Sequence, residues 1–116
     1  MKKFEVVKEK RRFDFIINNG KFIKNKTFVI YFSEHEENFP KFGLAVGKKI
    51  GNAVTRNKYK RIIRNIVDQN KFLFKKEYDY IIIIKKVCLD MSFKELNDSL
   101  SSLIKEKLWK RNYVVF

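Results

Sequence analysis

The sequence predicts a two-layer α+β domain with elements in the order αβββαβα, a sheet on one side and helices on the other. Three observations predict it. Thr27-Phe-Val-Ile-Tyr-Phe32 and Tyr78-Asp-Tyr-Ile-Ile-Ile-Ile84 are β-branched and aromatic runs, apolar on both faces, so each needs cover above and below. A long basic stretch between them carries apolar residues at helical spacing, and so does the chain after Ser92. At 116 residues the chain is read as one domain, residues 1–116, large enough for a modest core.

Taken in order, residues Lys8–Asn19 read as a short helix with Phe13, Ile16 and Ile17 on one side and Gly20 as its stop. Phe22-Ile23 reads as a short edge strand. In the Thr27–Phe32 strand, alternation puts Phe28, Ile30 and Phe32 on one face and Thr27, Val29 and Tyr31 on the other. Glu34 through Pro40 reads as the polar, solvated loop of a hairpin, with Phe42–Val46 returning as the partner strand. The Tyr78–Ile84 run suits the middle of a sheet. Ser92-x-x-Glu95 is a capping box, followed by a core-facing stripe of Phe93, Leu96, Leu100, Leu103, Ile104 and Leu108 on a helix running to about Trp109.

The stretch Gly47–Asn65 is where the chemistry concentrates. No acidic residue stands between Glu37 and Asp68, while Lys41, Lys48, Lys49, Arg56, Lys58, Lys60, Arg61 and Arg64 all do. On a helix wheel Val54, Tyr59, Ile62, Ile63, Ile66 and Val67 gather on one side, and Arg56, Asn57, Lys60, Arg61 and Arg64 on the other. Arg56, Lys60 and Arg64 form one row at i, i+4, i+8, whose mutual repulsion a bound polyanion would convert into affinity. A solvated lysine-rich face is the bland alternative. Against it stand the arginines, which grip phosphate bidentately, the absence of any lacing carboxylate, and the basic turn Gly47–Gly51 leading in.

Composition points the same way. The net charge is +14 with a pI near 9.9, which implies a polyanionic partner, nucleic acid before membrane. Cys88 and His35 each stand alone, which excludes a disulfide framework, a cysteine metal site and a histidine cluster. A metal reading of Glu34–Glu37 is weaker than a solvated loop. Gly43 through Lys49 fails as a phosphate-binding P-loop, one residue short and with Lys49 in the hydroxyl position. No run spans a bilayer and the start lacks a signal-peptide core, so a cytoplasmic location is expected. A nuclease acting through its own side chains would need paired carboxylates or a histidine base, and the carboxylates are scattered.

Arg56-Asn57-x-x-Lys60-Arg61-x-x-Arg64, preceded by Lys48-Lys49-x-Gly51-Asn52-Ala53-Val54, resembles the signature of the bacterial ribonuclease P protein component, and the element order resembles it across nearly the whole chain. The resemblance implies a mixed sheet with the basic helix across it and a left-handed βαβ crossover, as in the second domain of ribosomal protein S5. It implies an accessory subunit that binds a catalytic RNA, the pair removing the 5′ leader from precursor tRNA, with neither membrane nor DNA as partner. No cofactor is implied on the protein itself, and magnesium acts through the RNA. By the same resemblance Lys48, Lys49, Arg56, Asn57, Lys60, Arg61 and Arg64 contact the catalytic RNA, and no protein side chain is catalytic. Phe13, Ile17, Val29 and Tyr31 line a cleft for the single-stranded leader. Ile17 stands where the family often has a second aromatic and Ala45 where it often has a hydroxyl. The ending Tyr113–Phe116 is more apolar than the usual basic tail. A ribosomal-type RNA-binding module outside tRNA processing is the alternative.

Overall fold

A computed structural model describes residues 1–109. Its regular elements are α1 (Lys10–Asn19), β1 (Lys21–Lys24), β2 (Phe28–Glu34), β3 (Lys41–Val46), α2 (Ala53–Gln69), β4 (Tyr78–Ile84) and α3 (Phe93–Leu103), which continues as a π-helical segment over Ile104–Trp109. The apolar ending Tyr113–Phe116 lies outside the described residues.

The four strands form one sheet in the order β1-β2-β4-β3. β1 and β2 are antiparallel, β2 and β4 antiparallel, β3 and β4 parallel. This corrects the hairpin expected of β2 and β3, which do not pair: β4 lies between them. The reason is burial. Tyr80, Ile81 and Ile82 have no exposed surface, and a strand apolar on both faces is most completely covered in the middle of the sheet. The connection from Glu34 to Lys41 therefore spans two strand spacings, about 10 Å.

One face of the sheet builds the core. Phe28, Ile30 and Phe32 of β2, Phe42 of β3, and Tyr80, Ile82 and Ile84 of β4 pack with Tyr59, Ile63, Ile66 and Val67 of α2 and Leu96, Leu100 and Leu103 of α3. The capping box at α3 is formed, with Ser92 Oγ accepting from Glu95 N–H at 3.1 Å and Glu95 Oε1 accepting from Ser92 N–H at 3.0 Å. Two residues of the expected apolar stripes face outward: Val54 is 77% exposed and Phe93 42%. Val54 stands about 180° around α2 from buried Ile63 and so belongs to the outward side, a correction to its place in the apolar stripe, whereas Phe93 lies in the first turn of α3.

The opposite face is only partly covered. α1 lies against it, with Ile16 fully buried. Helix and sheet approach closely at Gly43, where a Cβ would stand 2.7 Å from Ile81 Cδ1 and 2.9 Å from the Phe13 ring.

Candidate nucleic-acid interface

The basic helix is held rigidly at its start. Lys48–Ile50 forms one 3-10 turn, anchored by buried Ile50, with Lys48 and Lys49 exposed. Gly51 follows at φ 153°, a backbone conformation that L side chains rarely adopt, and an added Cβ would crowd Thr55 at 3.0 Å. Asn52 then caps α2, its Oδ1 accepting from Thr55 N–H at 3.0 Å. Arg56 Nη1 donates to Gly51 O at 2.9 Å, so this arginine braces the turn from which Lys48 and Lys49 project.

With α2 seated on the sheet by Tyr59, Ile63, Ile66 and Val67, its far side presents Asn57, Arg61 and Arg64 to solvent, with Arg56 and Lys60 half-buried at the flanks. Among the described residues none of Lys48, Lys49, Arg56, Lys60, Arg61 and Arg64 forms an ion pair; the paired cations all lie elsewhere. The field of this face is therefore uncompensated, the condition under which phosphates displace counterions most profitably.

The cleft residues lie on the other side of the sheet. Phe13, Ile17, Val29 and Tyr31 are all half-buried, neither core nor fully open. Val29 and Tyr31 share the outer face with Ile83, Ala45 and Ile81: Val29 stands opposite Ile83, Ile83 opposite Ala45, and Tyr31 opposite Ile81. α1 forms the wall. A concavity of about 230 Å³ opens beside Phe13, lined also by Val6, Val7, Phe42, Gly43, Leu44, Lys60 and Arg64; Ile17, Val29 and Tyr31 do not line it. Lys60 and Arg64 of the basic row thus share one concavity with Phe13, one of the four residues expected in the cleft.

A larger concavity, about 560 Å³, opens between the N-terminal segment, α1 and the Glu34–Lys41 loop. Several of its charges are paired within it. Arg12 Nε donates to Asp79 Oδ2 at 2.7 Å, and Lys41 Nζ pairs with Glu37 Oε1 at 3.0 Å. His35 is held at both ring nitrogens, 2.7 Å from Asp79 Oδ1 and 2.7 Å from Lys76 O. This corrects the solvated reading of that loop at one position: His35 turns inward to Asp79, whose side chain is 5% exposed. A histidine engaged on both nitrogens is not free to act as a base. Cys88 is buried in the core, and burial pushes its thiol up from its ordinary value, away from the reactive thiolate.

Sequence reasoning missed Phe22. It is half exposed on β1, opposite Tyr31, with ring centroids 5.5 Å apart. The signal was available in the β1 alternation, which sends Ile23 to the core and Phe22 to the Tyr31 face.

A family model described as ribonuclease P matches residues 1–108. The chain is similar to the ribonuclease P protein component of Mycoplasma capricolum, 47% identical over 107 residues that cover 91% of this chain and 98% of the relative. It is 40% identical to that of Bacillus cereus over 113 residues, covering 96% of this chain and 97% of the relative. Among solved structures, the RNase P protein of Thermotoga maritima superposes with a TM-score of 0.80 at 30% identity, covering 88% of this chain and 96% of that one. The Staphylococcus aureus protein gives 0.78 at 32% identity, covering 87% and 93%.

Proposed function

The chain belongs to the ribonuclease P protein family, the accessory subunits of the tRNA-processing endoribonuclease, and on that premise we propose how its surfaces divide the work. The α2 face binds the catalytic RNA through Lys48, Lys49, Arg56, Asn57, Lys60, Arg61 and Arg64. The α1–sheet cleft of Phe13, Ile17, Val29 and Tyr31 holds the unpaired 5′ leader of precursor tRNA. The observation that carries this reading is an uncompensated cationic row opening, at Lys60 and Arg64, into the groove that Phe13 lines. A single strand needs both phosphate neutralisation and apolar ring faces, and here one concavity offers the two together.

Bond cleavage is assigned to the RNA. Among the described residues no group of three or more His, Cys, Asp or Glu side chains is placed to hold a metal ion. The magnesium of the holoenzyme belongs with the RNA phosphates. No helix among the described residues is long and apolar enough to cross a membrane, and a cytoplasmic site of action follows from the RNA partners.

The experiment is cleavage and binding of precursor tRNA by protein, by catalytic RNA, and by both, with wild type and a Phe13→Ala/Tyr31→Ala double variant. The double variant is expected to lose precursor affinity about fivefold or more while mature tRNA binding and assembly stay unchanged. A folded double variant that keeps the wild-type preference for precursor over mature tRNA rules out the cleft assignment. A protein that binds both tRNAs alike and does not aid cleavage is instead an RNA-binding module outside tRNA processing.

A further inference from the structure

We infer that Phe22 and Lys24 of the edge strand β1 form a further leader-binding subsite, in which Phe22 stacks one unpaired base beside Tyr31. The inference rests on the leader reading of the cleft and extends it to residues outside the signature. β1 alternates so that Ile23 enters the core while Phe22 and Lys24 point to the outer face. Phe22 pairs across the ladder with Tyr31, and Lys24 with Val29, so both stand in line with the proposed cleft positions. The Phe22 and Tyr31 rings are tilted 43° at 5.5 Å, which leaves part of the Phe22 ring uncovered: it is 50% exposed. A half-exposed phenylalanine fixed by a neighbouring ring offers a stacking face without first having to be ordered. Lys24 is exposed, forms no ion pair among the described residues, and sits two residues along the strand, about 7 Å away, within reach of the phosphate of a base stacked on Phe22.

Position on the sheet sets the order in which a leader entering beside the basic row would meet these residues. Phe13, Lys60 and Arg64 meet on the β3 side of the sheet, whereas β1 is the opposite edge. Three strand spacings, about 14 Å, separate the two edges. On the proposed reading the tRNA body lies toward the catalytic RNA on the basic row. A leader running away from it crosses Ala45, Ile83 and Val29 or Tyr31 before it meets Phe22, and Phe22 takes the nucleotide farther from the tRNA body than the one on Tyr31.

The test uses the assembled holoenzyme with Phe22→Ala, Phe22→Leu, Phe22→Tyr and Tyr31→Ala, each checked for its melting curve and for assembly with the catalytic RNA. Precursor tRNAs carry leaders of decreasing length, or one abasic nucleotide at each leader position in turn. Phe22→Ala and Phe22→Leu are expected to weaken precursor binding about fivefold or more, Phe22→Tyr to restore it, and mature tRNA affinity to stay level. One abasic position should abolish the cost of Phe22→Ala. As the leader shortens, that cost should vanish while the Tyr31→Ala cost remains. If Phe22→Leu binds precursor as wild type does, an apolar contact and not stacking is present, and the inference fails. It fails too if the Phe22 effect outlasts the Tyr31 effect on truncation. If Tyr31→Ala weakens precursor binding and Phe22→Ala does not, the subsite is wrong and the cleft stands. If neither matters in folded variants, the cleft itself is wrong.

Discussion

Arg12 Nε and Asp79 Oδ2 stand 2.7 Å apart and tie α1 to the central strand β4 across the outer face of the sheet. Asp79 is almost wholly buried, and its other oxygen meets His35 Nδ1. The same guanidinium donates to Glu34 O at 2.9 Å and lies over the Phe15 ring, so one side chain gathers the helix, the strand and the loop. Removing it leaves a buried carboxylate with one partner fewer. Arg12→Ala should cost about 1–3 kcal/mol of stability and loosen the wall that positions Phe13. Thermal melting reads the first effect, and a reduced precursor-over-mature tRNA preference reads the second. An unchanged melt would show that His35 alone satisfies Asp79.

Arg61 and Arg56 make different losses. Arg61 is exposed and has no hydrogen bond or ion pair among the described residues, so Arg61→Ala should leave the melt unchanged. It should weaken catalytic-RNA binding by about 1–3 kcal/mol and make the salt slope shallower by roughly one unit. Arg56→Ala also removes the bond to Gly51 O and frees the Lys48–Ile50 turn. Its affinity loss should exceed that of Arg61→Ala at every salt concentration. Titrations of the catalytic RNA at several salt concentrations compare the two, and equal losses would mean that the brace is unimportant.

The two sides of α2 can be told apart by one residue type. Ile63 has no exposed surface, whereas Val54 is 77% exposed in the first turn. Ile63→Asp puts an unpaired carboxylate into the core and should cost at least about 3 kcal/mol, a large share of the about 5–15 kcal/mol that holds a domain folded, so its melt should fall sharply. Val54→Asp should fold normally, and a carboxylate in the first turn is favourable to the helix dipole. Circular dichroism melts of both variants decide, and a stable Ile63→Asp protein would mean the helix is seated differently.

Glu5 sets an acid limb of stability. Burial alone would push its carboxyl up, but Lys71 Nζ at 2.6 Å and the Lys2 backbone N–H at 2.9 Å outweigh burial and hold it below its ordinary value of 4.5. A carboxylate with a folded-state value below its unfolded one contributes stability that is complete above about pH 4.5. That contribution is lost as pH falls through the lowered value. Glu5→Gln should therefore destabilise the protein at neutral pH and narrow its gap to wild type below pH 4.5. Melting temperatures of both proteins across that range test the sign, and a gap that widens on acidification would reverse it.

Much of this was legible along the chain because it depends on residues near one another in sequence. Helical spacing separated Tyr59, Ile63, Ile66 and Val67 from Asn57, Arg61 and Arg64, and the structure places them on opposite sides of α2. Ser92 and Glu95 announced their helix start, and the unbroken run of β4 announced burial on both faces. Periodicity reports where a side chain projects from its own element, but not which element it will meet. The insertion of β4 between β2 and β3, the turning of His35 onto Asp79, the meeting of Phe13 with Lys60 and Arg64, and the pairing of Phe22 with Tyr31 join distant or separately read segments. They were settled by tertiary structure, because strand order and helix seating minimise exposed apolar surface for the whole chain at once, a quantity that no local pattern contains.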